Sequence, residues 1–371
     1  MYHDHGGDIY APRHSGGPGF PESGERGLLD FSANISPLGL PPGVLRALTE
    51  GVRNFDRYPD PRCGELRDAL AEHHGLGADR ILCGNGAADL IYRIVYRLKP
   101  KKALVMAPSF SEYEKALREA GCAVEQYELT YPRFQVDEKI LAMIRPGTDL
   151  FFFCNPNNPT GVLTDPGLVK RISQSCAAAG VLLAADECFN ELLDEPAAHT
   201  LTGDVPRAPH LVILKAFTKL YAMAGLRLGY ALCGSPEIAR GVAETGPPWS
   251  VSAAAQRAGI AALQEGAYVE ELRRLVKAER TLMKAALADL GLEVLGGEAN
   301  YLFFRIPGPE VFGGGFFRAL VDRGFLLRNC GNYPGLDDTY YRIAIKKPAE
   351  NRALIDVLRD LQREAPWQKP S

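Results

Sequence analysis

Leu211-Val212-Ile213-Leu214-Lys215-Ala216-Phe217-Thr218-Lys219 joins a short aliphatic run to two lysines. Four consecutive apolar residues with no polar alternation are too few for a helix, and they predict a strand buried on both faces. Ala103 to Ala107, Leu150 to Cys154, Val181 to Ala185 and Gly229 to Cys233 have the same character, each set apart by helix-like or turn-rich sequence. That alternation predicts an α/β fold, a mostly parallel sheet with helices on both faces. Ligands of such sheets sit beyond the carboxyl ends of the strands, so the residues that follow each run carry the information about function.

The chain has 371 residues, 46% hydrophobic and 23% charged, which fits a soluble globular protein and excludes wholesale disorder, collagen and coiled coil. With 42 Lys+Arg against 45 Asp+Glu, no basic field favours nucleic acid. No apolar run is long enough to span a bilayer, and the first residues are polar, so the expectation is a cytoplasmic protein without membrane contact. Eight cysteines form no C-x-x-C pair and seven histidines no H-x-x-x-H pair, which predicts buried, reduced thiols and no metal.

Residues 1–45, rich in Gly and Pro, read as an arm, and residues 46–248 as the large domain. Residues 249–371 read as a linking helix and a smaller α+β domain. Ser252 to Leu290 carries apolar residues at helical spacing up to Gly291. Tyr301 to Arg305 and Tyr341 to Ile345 read as strands, Val311 to Asp322 and Asn351 to Leu361 as helices.

Beyond the apolar runs lie Asn155-Pro156-Asn157-Asn158-Pro159-Thr160-Gly161, Asp186-Glu187, Lys215 to Lys219, and Gly84-Asn85-Gly86-Ala87-Ala88. An amine able to form a Schiff base, an acid for a pyridinium nitrogen, an amide and a helix start for a phosphate are together what pyridoxal 5'-phosphate requires. Singly each is weak, since a lone lysine is usually a surface charge and a Gly-Asn-Gly usually a turn.

In these motifs the chain resembles the fold-type I pyridoxal-phosphate enzymes of the class I/II aminotransferase family. Arg57-Tyr58-Pro59-Asp60, Pro108 to Tyr113, Asn158-Pro159-Thr160-Gly161, and Thr218-Lys219 with Gly225 to Tyr230 extend the resemblance over nearly the whole chain. It implies that Lys219 carries the cofactor, Asp186 pairs with the ring nitrogen, Asn158 bonds the ring 3-oxygen and Phe110 stacks on the ring. It implies further that Gly86, Ala87, Ala88, Thr218 and Arg227 hold the phosphate, with Tyr58 reaching over from the second subunit of a homodimer. Two positions depart from the family pattern: Phe189 stands where many members have a tyrosine, and Ala216 where many have Ser or Thr.

Arg342 matches the family's grip on the substrate α-carboxylate. Arg328, beside the loop Asn332-Tyr333-Pro334-Gly335-Leu336-Asp337, supplies a second cation, and the pair suggests a substrate with two anionic ends. This loop, His5-Gly6-Gly7, Asn34 and the departure at Phe189 are similar to those family members that decarboxylate L-threonine O-3-phosphate to (R)-1-amino-2-propanol O-2-phosphate for cobalamin synthesis. By that likeness Arg328, His5 and Asn34 hold the substrate phosphate. L-Serine O-phosphate is a variant substrate, one methyl group smaller, and a histidinol-phosphate type of aminotransfer is the alternative reaction.

Overall fold

The computed structural model describes residues 6–7, 28–307, 315–364 and 366–367. Strands follow in the order β1 (Leu29–Asp30), β2 (Ile81–Gly84), β3 (Lys102–Ala107), β4 (Ala123–Glu128), β5 (Leu150–Cys154), β6 (Leu182–Asp186), β7 (Leu211–Ala216) and β8 (Gly229–Cys233). After them come β9 (Glu293–Gly296), β10 (Tyr301–Arg305), β11 (Phe325–Leu326), β12 (Arg328–Asn329) and β13 (Tyr340–Ala344).

Seven strands form one sheet in the order β2-β8-β7-β6-β5-β3-β4. Within it β8 runs opposite to the other six strands. Every residue of β5, β6 and β8 is buried, so both faces of the sheet are covered. The aliphatic runs therefore became the central strands, with small shifts. The run expected at Val181 to Ala185 is displaced by one residue, which makes Asp186 the last strand residue rather than the first loop residue. The strand from Leu211 extends to Ala216. β4 lies at the sheet edge, where only Tyr127 is buried, and its polar pattern hid it from a search for apolar runs.

A second sheet, β12-β13-β10-β9, is antiparallel, and β1 pairs with β11 in a small parallel ribbon. Its core, around Met283, Leu302, Phe304, Tyr341 and Leu354, is separate from that of the large sheet and includes Phe31 from the N-terminal segment. On these two cores we propose the division 1–45, 46–248 and 249–371, with the end of the arm packed on the second lobe.

The linking helix is not continuous. Ala253–Ala262 and Gly266–Asp289 are separate helices. Glu265, between them, spends its carboxylate on the backbone N–H of Gly43 at 2.7 Å, and the next residue is a glycine, a poor helix former. In the longer helix Leu272, Val276, Met283 and Leu287 are buried at the expected spacing. The helix expected from Val311 is Phe316–Val321; residues 308–314 lie outside the described residues. Among the described residues no helix is long and apolar enough to cross a membrane, and no three His, Cys, Asp or Glu cluster as metal ligands.

Register sets the functional edge. Cys154 lies beside Asp186, which lies beside Leu214, so β5, β6 and β7 end together. Gly229, opposite Gly84, opens β8 at the same edge. A Cβ there would stand 2.4 Å from the Ala87 nitrogen and 2.6 Å from the Gly86 carbonyl carbon, so the bare glycine lets the following helix start against the sheet. We therefore expect Gly229→Ala to destabilise the cofactor-free protein by about 1–3 kcal/mol. Gly203→Ala, into open space, is the control, with an effect within about 0.5 kcal/mol. Urea midpoints measure both; an unchanged midpoint for Gly229→Ala refutes the tight approach.

Candidate active site

The ends of β5, β6 and β7, the turn after β3 and the helix start after β2 converge on a cavity of about 610 Å³. Gly6, Gly7, Ser32 to Ile35, Tyr333 and Arg342 close it from the other lobe.

Lys219 sits in the single helical turn Phe217–Leu220 that follows β7. Its Nζ is 5.9 Å from the centroid of Phe189. Burial pushes its pKa down from 10.5 to about 8; Arg342 and then Arg227 push the same way, with Cys188 and Asp186 pulling against them. The side chain is a nucleophile in waiting: an amine partly neutral near physiological pH, inside a cavity.

Asp186 Oδ1 accepts from the Cys188 backbone N–H at 2.9 Å and Oδ2 from the Tyr113 hydroxyl at 2.5 Å. Burial, then the Asp186 carboxylate, hold Tyr113 well above the usual tyrosine range, so it stays a donor. Its ring stacks on Phe152 at 5.0 Å and meets Phe110 edge-on at 5.5 Å, fixing the hydroxyl in place. Phe110 lines the cavity.

The helix Ala87–Leu98 begins after Gly86, whose φ is +84°, and no side chain caps it. Its first residues, Ala87 and Ala88, line the cavity together with Thr218 and Arg227. The Arg227 guanidinium lies 2.8 Å from where a Gly86 Cβ would be, so a side chain there would fill the cradle. Free helix-start amides beside a guanidinium suit a dianion.

Asn158 accepts a hydrogen bond from Arg342 Nη1, and Arg342 Nη2 donates to the Ser32 carbonyl at 2.6 Å. Arg342 Nε and Asn34 Oδ1 are buried without hydrogen-bond partners, polar atoms left over at the cavity wall. Gly7 donates to Ser32 Oγ at 2.7 Å, and a Cβ at Gly6 would collide with the Ser32 carbonyl, so the start of the arm packs against the site.

Lys219, Asp186, Asn158, Phe110, Ala87, Ala88, Thr218, Arg227, Asn34 and Arg342 thus meet at one cavity, with Gly86 behind it. Two expected residues do not line it, and a third cannot be placed against it. Tyr58 is 81% exposed and stacks on Trp249 at 4.7 Å. Arg328 is buried behind Tyr333, donating to Asn332 Oδ1 at 2.7 Å, with its guanidinium 5.2 Å from the Tyr333 ring. His5 lies outside the described residues.

Sequence reasoning assigned no role to Tyr113 or Asn157. Asn157 takes Ser109 Oγ at 2.8 Å on its amide oxygen and donates at 3.0 Å to both the Pro108 carbonyl and Thr160 Oγ1. Tyr113 stands three residues after Phe110 at a helix start, a spacing that puts both on one side.

The pattern of the family described as aminotransferase class I and II matches residues 26–358. The chain belongs to this family. It is 38% identical over 339 residues to a threonine-phosphate decarboxylase of Salmonella typhimurium, covering 90% of this chain and 91% of that one. It is 34% identical over 340 residues to a histidinol-phosphate aminotransferase of Desulfitobacterium hafniense, covering 89% and 91%. The crystal structure of histidinol-phosphate aminotransferase from Sinorhizobium meliloti, in complex with pyridoxal-5'-phosphate, superposes with a TM-score of 0.77 at 26% identity, covering 89% and 90%. Phe189 and Ala216 both line the cavity, and neither offers a hydroxyl.

The depressed pKa of Lys219 has a thermodynamic consequence. Unfolding returns the amine to a value near 10.5, so the unfolded chain binds more protons between about pH 8 and 10.5, and stability rises with pH across that window. Cofactor-free Lys219→Met is therefore expected to exceed the parent in stability at pH 7, by up to about 3 kcal/mol. The advantage shrinks through the same window, read from urea unfolding at a series of pH values. A pH-independent difference overturns the assignment of a buried, partly neutral amine.

Proposed function

We propose that this chain is a carbon–carbon lyase dependent on pyridoxal 5'-phosphate, which decarboxylates L-threonine O-3-phosphate to (R)-1-amino-2-propanol O-2-phosphate in cobalamin synthesis. L-Serine O-phosphate is a second acceptable substrate. The observation that carries this reading is the 38% identity to a threonine-phosphate decarboxylase across nine-tenths of the chain. The small lobe supports it by pairing Arg328 directly opposite Arg342 across β12 and β13, two fixed cations for a substrate with a carboxylate and a phosphate.

The residues present fit the cofactor. Lys219 would bind its aldehyde, and the Asp186 carboxylate would face the ring nitrogen, held in line by Tyr113 and the Cys188 amide. Asn158 would meet the 3-oxygen through its amide nitrogen, because its oxygen is committed to Arg342. Ala87, Ala88, Thr218 and Arg227 would take the phosphate. Bound there, the cofactor supplies an electron-accepting ring for the pair left at Cα when carbon dioxide departs.

Arg342 spends one N–H of Nη1 on Asn158 and one of Nη2 on Ser32, and its remaining donors would steer the substrate carboxylate. A guanidinium shared with protein acceptors would orient the group without holding its charge too firmly to be released as neutral carbon dioxide. Asn34 and His5 would hold the substrate phosphate, and Arg328, behind Tyr333 and off the cavity wall, would add its positive charge from there; the Asn34 amide would present either its oxygen or its nitrogen to the cavity after rotation of the side chain. The Lys219 amine is the group in reach of Cα to return a proton.

Tyr58 supports a homodimer. It is far more exposed than a tyrosine at a site of its own would be, so we assign it to the partner subunit's phosphate. We also propose that it works in the cytoplasm.

Incubation of the holoenzyme with L-threonine O-3-phosphate is expected to release carbon dioxide and aminopropanol phosphate with no 2-oxo acid present. Lys219→Ala stops turnover while circular dichroism stays that of the parent. Product formation that requires 2-oxoglutarate, with the carboxylate retained, replaces this reading with the aminotransferase one.

A further inference from the structure

Among the described residues, four cationic side chains line the cavity: Lys115, Lys219, Arg227 and Arg342. The cofactor would occupy two of them, Lys219 through its aldehyde and Arg227 through its phosphate, and the substrate carboxylate would occupy Arg342. One cation is left over, Lys115, and so is one anion, the substrate phosphate. Arg328 does not stand on the wall to meet it.

Lys115 lies midway along the helix Ser111–Glu119, which starts directly after Phe110. Tyr113, Ala116 and Leu117 are buried and anchor this helix, while Lys115 is exposed. Besides the cavity it borders a cleft of about 300 Å³, which Asn332, Tyr333 and Pro334 line from the other lobe. Tyr333 borders both spaces as well. Lys115 therefore stands at the end of the cavity where Tyr333 closes it, with the Arg328 guanidinium 5.2 Å from the Tyr333 ring. A phosphate at that end would have one cation from each lobe. The neighbouring acids do not neutralise Lys115: Glu114 pairs with Arg118 at 2.5 Å, and Glu112, on the cavity wall, accepts from the Tyr92 hydroxyl at 2.7 Å. Among the described residues Lys115 makes no ion pair.

We propose that Lys115 is the large-lobe cation of the substrate phosphate site and sets the preference for phosphorylated over unphosphorylated amino acids. This rests on the reading of the substrate as an amino acid with a phosphate. A compact ammonium on a flexible stem suits a phosphate as a point charge. The phosphate keeps its charge while the bond at Cα breaks, so the contact is equally strong before and during the reaction. It lowers KM and leaves kcat alone.

Holoenzyme is mixed rapidly with L-threonine or with L-threonine O-3-phosphate, and binding is read from the absorbance of the bound cofactor before turnover. Lys115→Gln is expected to weaken the phosphorylated ligand by about ten- to a hundredfold, the worth of one charge-assisted hydrogen bond, and to leave L-threonine within about twofold. Lys115→Arg restores most of the preference. In steady state Lys115→Gln raises KM by a similar factor with little change in kcat, and added potassium chloride erodes the preference of the parent more than that of the variant. Equal weakening of both ligands, no weakening of either, or a fall in kcat at unchanged KM overturns the proposal. The ratio comes from binding, so turnover that requires 2-oxoglutarate would remove the decarboxylase reading and still leave Lys115 to be decided by the same titration. A parent without preference for the phosphorylated ligand overturns both.

Discussion

Two lysines four residues apart, Lys215 and Lys219, have their pKa values pushed in opposite directions. Burial works against the charge on each. At Lys215 the Glu191 carboxylate at 2.5 Å and Glu187 at 3.1 Å outweigh it, and the amine is held protonated. At Lys219 the neighbours are guanidiniums, Arg342 and Arg227, and the amine gives up its proton readily. One is a structural cation, the other a nucleophile. The difference lies in which charges the fold brings to each position.

The rest of the site follows from keeping those two environments apart. Glu187 directly follows Asp186, and Lys215 begins the strand end that leads to Lys219, so their ion pair pins β6 to β7 where the functional residues emerge. Glu187 is itself fixed by Thr200 Oγ1 at 2.6 Å and the Leu201 amide at 2.7 Å. Glu191 reaches the other lobe, since its carbonyl accepts from Arg273 Nε at 2.6 Å on the long helix. Arg280, on the same helix, ties Asp194 at 2.7 Å. Breaking a buried pair such as Lys215–Glu187 leaves a charge uncompensated, so the network resists exactly the slippage that would misalign Asp186 with Lys219.

The parts of this design that were legible in the sequence are those with a local signature. The aliphatic runs before Asn155, Asp186 and Lys215 announced buried parallel strands, and ligands gather at such strand ends, which placed Lys219, Asp186 and Asn158 on one edge. What stayed hidden depends on contacts between residues distant in sequence. Tyr113 looks like any helix residue until the fold lays it against Asp186, 73 positions away. Arg342 and Asn158 are 184 positions apart. β4 was missed because an edge strand has one wet side, and the break at Glu265 because its cause, Gly43, lies 222 residues back. Arg328 was read as a second cation for the substrate, yet its place behind Tyr333 is set by the loop Cys330 to Leu336, not by its strand.

Arg342 shows how the same residues that bind also choose the bond to be broken. A guanidinium free to fork around a carboxylate gives two parallel bonds and a strong hold on its charge. Here the fork is turned inward: Nη1 goes to Asn158 and Nη2 to the Ser32 carbonyl. The cation therefore braces the Asn158 amide and the arm segment that closes the cavity, with only part of its donor set left for a substrate. Catalysis gains only from contacts that strengthen on the way to the transition state, and a full grip on a carboxylate that is losing its charge would weaken along that path. On the proposed reading, an Arg342 partly committed to Asn158 and Ser32 orients the carboxylate and lets it depart, as a decarboxylase requires.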